Sequence, residues 1–83
     1  SSSIGSESWL SQFNTFKNLF LKDPNSTASN YYASHIYKMC KKADTLDDIE
    51  KKMVIKELEK VKKATNDEFL QEMFQASIER LKK

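Results

Sequence analysis

The chain has 83 residues, 31% of them charged, with a formal net charge of +2 and a single cysteine. That length supports one domain whose core is only just large enough, and a lone thiol excludes an intrachain disulfide and favours an intracellular setting. The mixed charge lacks the strongly basic signature of a dedicated nucleic-acid binder, and no apolar run approaches the roughly 18 residues of a membrane span.

Residues 1–6, SSSIGS, are small and polar and read as a disordered lead or a cloning scar ahead of one helical domain over 7–83. Without an initiator methionine, the chain reads as an excised domain. Gly5 and Pro24 are the only residues of their kind. A β-rich domain would need many more turn formers, so the elements are expected to be helical.

The first predicted helix covers residues 7–22. Trp9, Phe13, Phe16 and Phe20 recur at helical spacing on one face. Leu10, Leu19 and Leu21 widen that face, the pattern of a helix covered on more than one side. Asp23-Pro24 ends it, because proline lacks a donor and disfavours helix in the residue before it. The second helix, over 28–43, carries a stripe of Tyr32, Ile36, Met39 and Ala43, flanked by Tyr31, Tyr37 and Cys40. The third, over 46–64, has Thr45 as a candidate N-cap, with Asp47 and Asp48 in its positive first turn. Asp47–Lys51, Asp48–Lys52 and Glu59–Lys63 have the spacing of ion pairs, and Ile49, Met53, Val54, Leu58 and Val61 supply the apolar side. The fourth helix, over 66–82, starts at a Thr65/Glu68 capping-box spacing. Its buried face is expected to combine Phe69 and Met73 with Leu70, Phe74, Ile78 and Leu81. The fold class is therefore all-α: a small four-helix bundle, mostly antiparallel, whose short connections make successive helices neighbours.

Three groups of residues invite a chemical reading. His35 and Cys40 are the only histidine and cysteine, and five residues along a helix turn about 140°, so they do not converge on a metal. Their ordinary roles are a rim histidine and a small core thiol. Asp47 and Asp48 are accounted for by a helix start, and Asp44 and Glu50 beside them lack the alternating oxygen ligands and central glycine of a calcium loop. No serine sits in a glycine-flanked elbow. The chain is accordingly expected to be no enzyme and to need no metal, cofactor or small-molecule substrate.

Lys52, Lys56, Lys60 and Lys63 form a ridge on the third helix, broken by Glu57 and Glu59. That ridge is either a solvated face, a steering surface for an acidic protein or a track for a phosphate backbone. The surplus of large apolar residues is the more informative feature. Either these side chains are exposed singly, which is normal, or they form a patch that a second chain covers. On the second reading Trp9, Phe13, Phe16, Phe20, Tyr32 and Tyr37 are the candidate anchors, since aromatic residues are enriched at interfaces. The partner is then another protein or a second copy of the chain, with nucleic acid as the alternative and no membrane.

The stretch YYASHIYKMCKKADTLDDIEKKMVIKEL resembles the BESS motif of insect chromatin and transcription regulators. Tyr31 or Tyr32, Ile36, Lys41 and Lys42 fill the motif's first half, and Leu46, Lys51, Val54 and Leu58 its second. The break between them is longer by about three residues than the motif's and lacks its proline. The resemblance covers about a third of the chain. It implies a self-association or protein-contact module in a nuclear regulator.

Overall fold

Each helix is delimited by local chemistry. The computed structural model describes residues 3–83, with side chains from residue 5 onward. Helix α1 (Ser3–Lys22) starts four residues earlier than expected, so residues 3–6 belong to a helix rather than to a lead, of which residues 1–2 lie outside the described part. The serine side chains favour caps over helix interiors, which hid this turn. Ser6 is nevertheless buried, and a Cβ on Gly5 would come within 3.0 Å of Thr45 Cγ2. Gly5→Ala is expected to stabilise the fold by up to about 1 kcal/mol through helix propensity, less what the exposed Thr45 methyl loses in moving aside. Urea unfolding checks this, and a lead without structure would give no change.

Asp23-Pro24 ends α1. The Asp23 and Pro24 carbonyls then accept from the Ser29 hydroxyl at 3.2 and 2.7 Å, closing the connection onto α2 (Ser29–Lys41). Helix α3 (Asp48–Lys63) is capped by Asp47 rather than Thr45. The Asp47 carboxylate accepts from the Glu50 N–H at 2.8 Å, and the Glu50 carboxylate accepts from the Asp47 N–H at 3.0 Å. Helix α4 (Glu68–Lys82) is capped by Asp67, which accepts from the Phe69 and Leu70 N–H groups, while Thr65 Oγ1 accepts from the Asp67 N–H. At both starts an aspartate nearer the helix takes the role expected of a threonine, since a carboxylate is the better acceptor at the positive end of the helix.

The contacts fix the topology. Trp9 donates from Nε1 to the Met39 carbonyl at 2.9 Å, and Phe16 packs on Tyr32, so α1 and α2 run antiparallel. Lys62 donates to Gln75, and Lys51 shares a cleft with Arg80, so α3 and α4 do likewise. The two hairpins then pack side by side. Lys17 meets Glu57 and Gly5 meets Thr45, so α1 runs the same way as α3. Cys40 lies against Ser77 and Tyr37 shares a groove with Met73, so α2 runs the same way as α4. The expected four-helix bundle holds, but α2 and α3 are diagonal rather than neighbours. The connection between them crosses the end of the bundle instead of turning back on itself.

The bundle measures 39 × 21 × 17 Å. Its core collects one stripe from each helix: Trp9, Phe13 and Phe20; Ala33, Ile36 and Cys40; Val54, Leu58 and Val61; Leu70, Phe74, Ile78 and Leu81. Across the diagonal, Phe20 and Phe74 meet edge to face with ring centroids 5.0 Å apart, a geometry the aromatic quadrupoles favour. No helix among the described residues is long and apolar enough to cross a membrane.

Candidate interaction surfaces

Folding divides the six expected aromatic anchors into two groups. Trp9, Phe13 and Phe20 lie in the core, with Trp9 8% exposed and its indole N–H already satisfied. They hold the protomer together. Phe16, Tyr32 and Tyr37 are half-buried. The spacing on α1 identified a face correctly, but a periodicity does not report depth, and α1 is covered by α2 on one side and by α3 on the other.

Phe16 belongs to an outer aromatic cluster on the α1/α2 seam. Its ring centroid lies 4.0 Å from that of His35, 6.0 Å from Tyr32 and 6.2 Å from Tyr31. His35 is thus packed among rings, and its buried Nε2 has no hydrogen-bond partner among the described residues. Cys40 faces the other way, toward Ser77 of α4, and burial pushes its thiol up to about 12. At neutral pH it stays protonated, and reagents that attack thiolates reach it only when the fold opens. Labelling of Cys40 by a disulfide reagent is therefore expected to be slow and to track global unfolding as urea rises. Fast labelling of the native chain would contradict its placement.

The seam between α2 and α4 carries an apolar opening. Tyr37, Phe69, Met73 and Ala76, with Glu72 at the edge, line a groove of about 240 Å3. Phe69 is 55% exposed, a correction to its expected place in the buried face. Helix α4 bears two apolar stripes, Leu70-Phe74-Ile78-Leu81 and Phe69-Met73-Ala76, one position apart. Only the first faces the centre of the bundle. The second turns about 100° away: Met73 still packs against the core beside Tyr37, but the ring of Phe69, at the outer end of the stripe, is left mostly uncovered.

The outward face of α3 is the second exposed surface. Ile49 and Met53 were expected on the apolar side but are 72% and 58% exposed. They lie on the same face as Lys52, Lys56, Lys60 and Lys63, all of them exposed. Glu59 stays exposed beside this strip, whereas Glu57 only borders it. Glu57 turns toward α1, accepts from Lys17 at 3.0 Å, and pairs with Lys60 at 3.4 Å. The hydrogen bond from Lys17 is the main reason its carboxyl titrates below the usual range. These two are the ion pairs among the described residues, and the expected Asp47–Lys51, Asp48–Lys52 and Glu59–Lys63 pairs do not form. Asp47 is occupied by its capping role, and exposed pairs gain too little to hold two long side chains in place.

Sequence reasoning passed over Phe69, Ile49 and Met53 as exposed positions. For α4 a signal was present, because two parallel stripes on one helix exceed what one side of a bundle buries. For α3 a signal was also present, because Ile49 lies five residues from Val54 and nine from Leu58, about 140° and 180° around the helix from the core stripe. Comparison with family models, curated proteins and solved structures finds no match to this chain.

Proposed function

We propose that the chain is a non-catalytic protein-interaction module whose contact surface is the α2/α4 groove, and that it associates with a second copy of itself. The observation that carries this reading is the position of Phe69, a large ring more than half exposed at the mouth of an apolar groove. A protruding ring beside a hollow makes the patch self-complementary: the Phe69 ring of one copy fits the hollow beside Tyr37 and Met73 of the other, as a two-fold interface requires. Burying aromatic surface at about 25 cal/mol per Å2 gives the driving force, most of it offset by association costs. The resemblance of α2 and α3 to the BESS motif adds a nuclear, transcription-regulating setting to this reading. The test is molar mass by sedimentation across micromolar to millimolar concentration. Self-association that Phe69→Glu abolishes supports the proposal, and a monomer throughout overturns the self-pairing.

A second reading rests on Lys52, Lys56, Lys60 and Lys63, which share one outward face of α3 where Glu57 turns toward Lys17 and touches only Lys60, with Glu59 exposed at the edge. Such a strip fits a nucleic-acid backbone. It would give binding that weakens steeply with salt and falls in Lys56→Gln/Lys60→Gln; salt-insensitive binding or none removes this reading.

A further inference from the structure

Four cationic side chains that take no part in either surface meet at one end of the bundle. Lys41 from the last turn of α2, Lys51 from the start of α3, and Arg80 and Lys83 from the end of α4 line a cleft of about 210 Å3 with Asp44, over Cys40 and Ala43. None of the four is ion-paired among the described residues. Lys41 also lies 5.4 Å from the centre of the Tyr37 ring.

Helix stability accounts for three of these positions, because cations are favoured at the negative ends of α2 and α4. It does not account for Lys51. That residue lies one turn into α3, at the positive end of the helix, where a cation is disfavoured. Its natural partner Asp47 is committed to the cap, and Lys51 is half-buried. The helix dipole thus opposes the placement, offset in part by Asp47, Asp48 and Glu50 of the same turn, and among the side chains lining the hollow a single carboxylate, Asp44, stands against four cations. A concave site lined by one sign of charge concentrates the opposite sign.

We propose that this cleft binds a small phosphate-bearing anion. The chemistry matches: the Arg80 guanidinium presents a planar fork of donors, and three ammonium groups supply point charges around it. A phosphate offers about two negative charges and three acceptor oxygens, where a carboxylate offers one charge and two oxygens. The volume admits a phosphate or pyrophosphate group. This inference is independent of the groove, which lies along α2 and α4 and whose lining shares no residue with the cleft.

The experiment titrates the 15N-labelled chain at low ionic strength with pyrophosphate, with phenyl phosphate and with sulfate, against chloride of equal ionic strength. Saturable amide shifts at residues 40–44, 51 and 80–83 are expected, with a melting temperature higher than in chloride. Lys51→Gln and Arg80→Gln are each expected to weaken binding about tenfold, and Lys56→Gln/Lys60→Gln to leave it unchanged. Tighter binding of pyrophosphate assigns a free polyphosphate, and tighter binding of phenyl phosphate a monoester. Sulfate binding as well as both would overturn the phosphate assignment. Unsaturable shifts spread over all lysines, or undiminished binding in Arg80→Gln, would overturn the site itself.

Discussion

Phe74→Ala is expected to cost about 3–5 kcal/mol, since it removes a fully buried ring and leaves a cavity that rigid helices cannot close. The ring sits where α1 and α4 face each other across the diagonal, and Phe20 loses its edge-to-face partner as well. A domain of this length commonly has about 4–12 kcal/mol of stability in all, so the variant should be partly unfolded at physiological temperature. Phe69→Ala, five residues earlier on the same helix, is expected to cost less than about 1 kcal/mol because its ring is mostly in water already. Urea denaturation followed by helical circular dichroism measures both. Equal costs would show that the two stripes of α4 are not divided between inside and outside as described.

The same division yields the largest expected effect on association. Phe69→Glu should weaken self-association by about 2 kcal/mol or more, roughly thirty-fold, because a charge in place of a central aromatic anchor forfeits its burial and must itself be desolvated. The variant should fold as well as the parent or better. A carboxylate in the first turn of α4 faces the positive end of that helix, alongside Glu68. Loss of association with unchanged melting temperature would therefore be a surface effect. Ile49→Glu supplies the control, since Ile49 is the more exposed residue but lies on α3, outside the groove. If Ile49→Glu abolishes association while Phe69→Glu leaves it intact, the contact surface is the outer face of α3 and the groove assignment fails.

Four helices, their order and most of their limits were legible in the amino-acid sequence, because helix periodicity and its interruption at Asp23-Pro24 are local properties. The core stripes Phe13-Phe20, Val54-Leu58-Val61 and Leu70-Phe74-Ile78-Leu81 were legible for the same reason: a side chain's face follows from its position modulo one turn. Which of several apolar faces would be covered was not legible. Trp9 and Phe69 are equally plausible anchors on a helical wheel, yet one closes the α1/α2 seam through its bond to Met39 and the other stands in water. That outcome depends on the packing of the α1–α2 hairpin beside α3–α4, with α2 against α4 rather than against α3. The same packing turned Glu57 toward Lys17 while it kept its pair with Lys60. It also gathered Lys41, Lys51, Arg80 and Lys83 at one end of the bundle. Local chemistry determines where a helix begins and which way its side chains point, whereas coverage and charge convergence depend on the neighbouring helix, which only the tertiary structure supplies.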